Sequence, residues 1–408
     1  MKDHQLETRE TNVASKETRG RRKAEDLEDY LRQIPAPPRE HVEELKMEKR
    51  LKRMLQFGSV KLSDEELQFY SRQIMLDEVG FDGQLKLKDA RVCIVGLGGL
   101  GSTIAVQLAA MGIGHLRLVD RDIVEESNLQ RQHLYDFDVI GFPKVEAATK
   151  RLERLNPYIK LEPTPLSINE LNATEILRDV DVVVDGLDNM KARYIVNRAC
   201  VKLSVPYVFG AAISTFGNTS TIIPQETACL ACFYGKLKDR DLPSCATVGV
   251  HPSVLGIISS IEVAETIKIV LGKKPSLKNK LLYCDISSMQ FEEIEIARLE
   301  NCPVCGHQPE TPAKPSKGVL VEESCGRNNK RVFIIIPRET IALDLEELAS
   351  TLKAEANLKV EAKFGLTFAR EEILASILTT GVMIIEGAQK KKNALKLYKQ
   401  IMGKIGIS

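Results

Sequence analysis

The segment Gly96-Leu97-Gly98-Gly99-Leu100-Gly101 is the first place where residue type and spacing spell out chemistry. It follows the apolar run Arg91-Val92-Cys93-Ile94-Val95 and opens a stretch of helix formers, the context that turns a Gly-x-Gly-x-x-Gly pattern into a phosphate-binding turn. Its glycines let backbone approach a phosphate, and a helix N-terminus adds free amides and a positive dipole end. At the end of the next apolar run, Asp120 is placed to hold a ribose. On these residues alone an ordinary dinucleotide-binding domain fits as well as any other nucleotide site. A second chemistry is written in sulfur. Cys229-Leu230-Ala231-Cys232 and Cys302-Pro303-Val304-Cys305 form two well-separated knuckles, the ligand pattern of a structural Zn²⁺ whose four thiolates leave no open coordination position. A third candidate is Cys245, in Asp241-Leu242-Pro243-Ser244-Cys245-Ala246-Thr247-Val248-Gly249. A thiol just ahead of a helix N-terminus has a reason for a lowered pKa, and Pro243 with the polar run before it suggests an exposed loop. The plainer reading of a lone cysteine is a small buried hydrophobe, which suits Cys93, Cys200 and Cys284; Cys325, beside Gly326, falls in an expected hairpin turn.

The surrounding chain must supply the frame that aims these groups. From about Arg91, short apolar runs alternate with helical stretches: Arg91 to Val95, Leu116 to Val119, Asp181 to Val184 and Tyr207 to Phe209 read as buried strands, and Gly101 to Met111, Pro143 to Leu155 and Asn189 to Leu203 as helices. Strict alternation predicts an α/β fold with a parallel sheet covered on both faces and ligands at the carboxyl ends of its strands. Gly249 to Leu271 reads as a further packed helix and Leu281 to Cys284 as a further strand. Four divisions follow: 1–58, a charged extension, helical or disordered, broken at Pro35-Ala36-Pro37-Pro38; 59–310, the nucleotide-binding domain with the cysteine cluster; 311–317, a proline-marked linker; and 318–408, a separate small α/β domain. In the last, Val319 to Val321, Val332 to Ile336 and Val382 to Ile385 read as strands, Leu343 to Ala356 as a helix, and the basic end as another.

Composition narrows the function. Fifty-seven Lys and Arg balance fifty-six Asp and Glu, so no global field favours nucleic acid or an anionic membrane. No apolar stretch approaches the ~20 residues of a membrane span, and the charged N-terminus is unlike a secretory signal; the expected location is the cytosol. Nine cysteines with two paired knuckles fit metal ligation and thiol chemistry better than a disulfide scaffold.

Asp120-Arg121-Asp122-Ile123-Val124-Glu125-Glu126-Ser127-Asn128-Leu129-Gln130-Arg131-Gln132 is unlike a nicotinamide enzyme. It resembles the family of ubiquitin-activating enzymes, molybdopterin-synthase adenylyltransferase, thiazole sulfur-carrier adenylyltransferase and the HesA type. Tyr70-Ser71-Arg72-Gln73-Ile74, Gly141-Phe142-Pro143-Lys144-Val145, and Asp188-Asn189 with Arg193 and Asn197 stand in the family's order, so that the resemblance covers about Tyr70 to Cys305. It implies a Rossmann-like adenylation domain using ATP and Mg²⁺. The glycine turn (Gly98, Gly99, Gly101), Asp120, Asp122, Ser127, Asn128, Leu129, Gln130, Arg131, Lys144, Asp188 and Asn189 would line the nucleotide, and Arg72 would reach in from the other half of a homodimer. The chemistry agrees. Attack of a carboxylate on the α-phosphate of ATP brings anions together, so the site needs cations (Arg131, Lys144, Arg72) and a hard oxygen ligand for Mg²⁺ (Asp188). It needs no general base, because the attacking carboxylate is already ionised.

The resemblance places a reactive cysteine near Cys245 and implies adenylation of the C-terminal Gly carboxylate of a small ubiquitin-like or sulfur-carrier protein ending in Gly-Gly. The leading expectation is thioester formation on Cys245 and transfer to a conjugating enzyme recruited by 318–408, whose position, though not its residues, suits a ubiquitin-fold domain. The alternative is sulfur-carrier adenylation leading to a thiocarboxylate for molybdopterin, thiazole or tRNA thiolation. A fused rhodanese is not expected, since no cysteine with a tight anion-binding loop follows Cys325. An oxidoreductase or a non-catalytic scaffold of the same fold would have no use for the basic residues and Asp188 together.

Overall fold

Eight strands assemble into one sheet: β1 (Arg91–Val95), β2 (His115–Val119), β3 (Lys160–Thr164), β4 (Val182–Asp185), β5 (Tyr207–Ile213), β6 (Phe216–Ile222), β7 (Lys280–Asp285) and β8 (Gln290–Glu295), in the order β3-β2-β1-β4-β5-β6-β7-β8. The computed structural model describes residues 60–235, 237–242, 248–309, 319–325, 331–337 and 339–407, with side chains left out at 324 and 325. The 1–58 extension, the 311–317 linker and Cys245 lie outside the described residues. β3, β2, β1, β4 and β5 pair in parallel, as the alternation of apolar runs requires, whereas β5 to β8 pair antiparallel. The parallel core is therefore extended by three strands, of which β7 matches the expected strand Leu281 to Cys284, while no continuous apolar run announces β6 or β8.

β4 is buried along its whole length, and β1 along all but its first residue, because each sheet face is covered. Val92, Ile94 and Val184 turn to helices α1 (Gly99–Met111), α2 (Lys144–Leu155) and α4 (Pro252–Val270). Cys93, Val95 and Val183 turn to the opposite side, with α3 (Met190–Leu203) and the four knuckle cysteines. Cys93, Cys200 and Cys284 are fully buried, as expected, and burial pushes the Cys93 thiol up to about 12. At the far edge β8 is exposed at every residue and carries Glu292, Glu293 and Glu295. β1 lies between β2 and β4, so the sheet reverses its winding there, and a crevice opens beyond the carboxyl ends of the strands.

A second sheet follows: β9 (Val319–Cys325), β10 (Arg331–Pro337), β11 (Asn357–Glu361), β12 (Gly365–Arg370), β13 (Ile373–Leu378) and β14 (Met383–Glu386), ordered β11-β12-β13-β14-β10-β9. Helices α5 (Leu345–Leu352) and α6 (Lys391–Lys404) cover one face through Phe333, Ile335, Phe368, Ile377, Met383 and Ile385. All five pairings are antiparallel. That corrects the suggestion of a ubiquitin fold, which needs a parallel central pair; here β14 meets β10 antiparallel instead.

Leu62–Ser408 form one compact unit, and the two sheets meet within it through named contacts. Phe364 N donates to Glu146 Oε2 (3.0 Å), Thr367 Oγ1 to Gly141 O (2.9 Å) and Thr380 Oγ1 to Pro165 O (2.5 Å). Gly365 sits so close to Pro143 that a Cβ there would lie 2.6 Å from its ring. Among the described residues no helix is long and apolar enough to cross a membrane.

Candidate active site

The glycine turn is built by close approach. A Cβ on Gly101 would stand 1.9 Å from Gly96 O, and one on Gly96 2.5 Å from Gly186 O, so these positions bring β1, α1 and the loop after β4 into backbone contact. A Cβ on Gly98, which caps α1, would meet no protein atom nearer than 3.9 Å, so the outer side of the turn stays open. Asp120 steadies the turn from the end of β2: its Oδ2 accepts from Leu97 N (2.6 Å) and its Oδ1 from Asp122 N (2.7 Å). Each oxygen keeps a lone pair for a ligand.

Around the turn the charges are arranged in depth. Lys144, the first residue of α2, is 5% exposed, and its Nζ lies 3.1 Å from Asp122 Oδ2. Burial works against its charge, but the carboxylates of Asp122 and Asp120 hold the ammonium above its ordinary value, so Lys144 stays a cation. Glu125 to Arg131 form a self-capped turn on the rim: Glu125 N donates to Asn128 Oδ1 (3.0 Å), Ser127 Oγ to Glu125 Oε2 (3.1 Å) and Arg131 Nη1 to Ser127 O (2.7 Å). Asp188 is exposed at the end of the β4 loop, accepting from Asn189 Nδ2 (3.0 Å), while Asn189 Oδ1 caps α3 through Ala192 N (2.9 Å).

One open cleft of about 1230 Å³ is lined by Gly98, Gly99, Asp120, Asp122, Ser127, Asn128, Gln130, Arg131, Lys144, Asp188 and Asn189. Two expected residues are not in its wall. Gly101 is buried in the glycine contact just described, and Leu129 packs against the core. Arg72 is exposed on the short helix Ser71–Ile74 and is also absent from this wall. Its neighbours anchor that helix: Tyr70 Oη accepts from Asn156 Nδ2 (2.8 Å), and Gln73 Nε2 donates to Met111 O (2.7 Å).

Of the buried network beneath Asp188, the sequence names only Arg193, through the family-order motif, and gives it no role. Arg193 Nε donates to Asp185 Oδ2 (3.1 Å), and its Nη2 donates to Leu187 O (2.6 Å) and Gly210 O (2.9 Å). Tyr207 Oη bonds Asp185, and Leu187 N donates to Asp185 Oδ1 (2.8 Å). The loop that carries Asp188 is thus clamped from below. A carboxylate closing the apolar run Val182 to Val184 was the available signal. Asp239, from the segment after the first knuckle, also accepts from Met190 N (2.5 Å) and Lys191 N (3.2 Å), capping α3 beside the same loop.

Glu262, on α4, is fully buried near this network, and neither carboxylate oxygen has a hydrogen-bond partner among the described residues. Burial, then the charge of Asp185, pushes its carboxyl well above the ordinary 4.5. A raised folded-state value favours the fold below the unfolded value and loses that contribution as pH rises toward the folded one. Glu262→Gln should therefore gain in melting temperature relative to wild type as pH goes from 5 to 8. A difference in melting temperature that does not change over that range would count against a neutral Glu262.

The four knuckle sulfurs converge within 4.8 Å of one another. Cys229–Cys302 is 3.6 Å, Cys232–Cys305 3.4 Å and Cys229–Cys232 3.9 Å. Tetrahedral Zn–S bonds of ~2.3 Å separate sulfurs by ~3.8 Å, so the donor set fits zinc. Val304 N and Leu299 N point at Cys302 Sγ (3.4 Å) and Cys232 Sγ (3.5 Å), and Leu230 N donates to Asn197 Oδ1 (3.0 Å), tying the first knuckle to α3.

Comparison with known proteins agrees with this geometry. The sequence model of the ThiF family matches residues 70–304. A sulfur carrier protein adenylyltransferase of Thermus thermophilus is 40% identical over 251 residues, 60% of this chain and 93% of the relative. A sulfur carrier protein ThiS adenylyltransferase of Bacillus subtilis is 33% identical over 342 residues, 82% of this chain and 99% of the relative. The crystal structure of Escherichia coli MccB covers 67% of this chain and 83% of its own, with a TM-score of 0.54 at 24% identity, which shows a shared fold.

Proposed function

The chain belongs to the ThiF family, and on that premise we propose that it is an ATP-dependent adenylyltransferase acting on the C-terminal glycine carboxylate of a small sulfur-carrier protein. The observation that carries this reading is the meeting of an open glycine turn at a helix N-terminus, Asp120, the buried cation Lys144, Arg131 and the exposed Asp188 in one cleft. Asp120 would hold the ribose and the α1 amides the phosphates. The carrier carboxylate attacks the α-phosphorus, the bond to the β-phosphate oxygen breaks, and pyrophosphate leaves with its electron pair. Lys144 and Arg131 offset the charge gathering on the phosphates. Asp188 would serve as the carboxylate ligand of a Mg²⁺ ion that, when bound, would neutralise phosphate charge. The same reading puts one structural Zn²⁺ on Cys229, Cys232, Cys302 and Cys305 and places Arg72 in the cleft of a partner subunit.

Two observations favour sulfur transfer over conjugation as the fate of the adenylate, reversing the order expected from sequence. The names of the relatives above speak of sulfur carriers. The second sheet, moreover, lacks the ubiquitin fold on which recruitment of a conjugating enzyme was argued. The test is pyrophosphate exchange into ATP with candidate carriers ending in Gly-Gly: exchange should need both ATP and carrier, and exchange that is indifferent to carrier would defeat the proposal.

Cys245 remains the candidate nucleophile, able to displace AMP from the adenylate and form a thioester. Cys245→Ala should keep exchange within about two-fold, since adenylation uses only the cleft residues, but lose any thiol-sensitive covalent adduct with the carrier. Persistence of the adduct, read by intact mass, would remove Cys245 from the mechanism. A product carrying a C-terminal thiocarboxylate, formed only with a sulfur donor present, would support sulfur transfer; passage of the carrier to a conjugating-enzyme cysteine would support the other fate.

A further inference from the structure

We infer that the face of the second sheet turned away from α5 and α6 is the outer wall of the nucleotide pocket and seats the adenine base. This rests on the adenylation reading and extends it to residues that no glycine-turn motif reaches. In a fold wound this way, phosphates lie at the α1 N-terminus and the ribose at the acid closing β2, so the base points outward over the ends of β2 and β3. The second sheet lands there. Thr380 Oγ1 donates to Pro165 O (2.5 Å), just beyond β3. Arg121, the residue after Asp120, donates from Nη1 to Ser167 Oγ (3.0 Å) and pairs with Glu322 Oε2 of β9 (2.7 Å). Glu322 Oε1 also reaches Lys191 Nζ (3.5 Å) at the start of α3, so the sheet spans the mouth of the cleft.

The strand period decides what this face offers. Phe333 and Ile335 of β10, with Met383 and Ile385 of β14, point to α5 and α6, so the alternate residues point the other way. Those residues, Leu320, Val332, Ile334, Ile336, Leu374 and Ile384, line the same cleft as Asp120 and Lys144. Ile334 and Ile336 are buried, but Leu374 is 41% exposed and Leu320, Val332 and Ile384 are half-buried, so the open part of the aliphatic strip is Leu320, Val332, Leu374 and Ile384. Glu322 and Glu386 stand on its rim. Glu322 is engaged by Arg121 and Lys191, which leaves Glu386 as the rim acceptor; a flat aliphatic wall with that carboxylate at its edge suits a purine with an exocyclic amine and disfavours one that presents a carbonyl there. The wall therefore selects adenine over guanine.

The experiment places single cysteines on the full chain, Ile384→Cys and Leu374→Cys on the wall and Lys396→Cys on the exposed side of α6. Maleimide labelling is followed at each position by peptide mass, while nucleotide binding is measured separately by calorimetry. ATP without carrier should slow labelling at 384 and 374 by at least about ten-fold, an equal concentration of GTP should not, and 396 should be indifferent to both. If calorimetry shows ATP bound while labelling at 384 and 374 is unchanged, the wall is wrong and the adenylation reading stands. If the carrier alone shields these positions and ATP does not, the strip seats the carrier tail, and the inference fails. If ATP does not bind at all, both fail together.

Discussion

Asp188→Ala lowers carrier-dependent pyrophosphate exchange by about 10²–10³-fold and leaves the melting temperature within a degree or two of wild type. The side chain is exposed, and its hydrogen bond is to the adjacent Asn189, so little packing is lost with it. The loop beneath is held without it, by Arg193 on Leu187 O and Gly210 O and by Asp185 on Leu187 N. Loss of activity can thus be assigned to the missing carboxylate rather than to a displaced loop. The same variant tests the shared site. Arg72 is exposed and outside its own chain's cleft, so chains carrying Arg72→Ala and chains carrying Asp188→Ala should, when mixed into heterodimers, regain exchange at those sites that receive both intact residues. Wild-type exchange in Asp188→Ala would sink the metal-ligand assignment, and silent heterodimers of verified composition would sink the shared site.

Cys302→Ser should lower the melting temperature by about 10 °C and abolish the one equivalent of zinc expected in freshly purified protein. The knuckles lie 73 positions apart, and a cross-link closing a loop of that order is worth roughly 4 kcal/mol. The serine also leaves three thiols gathered without a complete coordination shell. Cys302 is 1% exposed, so the hydroxyl has no easy route to water. A chelator should reproduce the shift in wild type and leave Cys302→Ser unmoved. Zinc-free protein that melts like the holoprotein would show that the cluster holds by packing alone.

Much of this frame could be read before folding. β1, β4 and the first half of β5 are apolar runs because they are buried from both sides, β2 shows through its buried Leu116, Leu118 and Val119, and the helices between them show in the same alternation. β3 was missed because it is an edge strand, half-exposed and containing Pro163. β6 hides behind Asn218, Thr219, Ser220 and Thr221, a polar run of which all but Asn218 is buried, and β8 has no buried residue to give it a period. In the site, a contiguous motif shows which residues are near the ligand but not which side of a turn faces it; hence Gly101 and Leu129 were placed in the wall and belong to packing. Asp185, Arg193, Tyr207 and Glu262 become neighbours only through the sheet, and no local pattern joins them. A linker does not encode docking direction, so the approach of the second sheet to the cleft was not legible either.

The position of the second knuckle bears on when the cysteine cluster can close. Cys302 and Cys305 follow β8, the last strand of the first sheet, so α4, β7 and β8 all lie in the loop that the cluster closes. If those elements dock before the loop closes, capture of a metal by the four thiols would come late in folding. An interaction made after the transition state leaves the refolding rate nearly unchanged and slows unfolding by its full strength. Zinc would act as a kinetic lock, setting how long the native state survives rather than how fast it is reached.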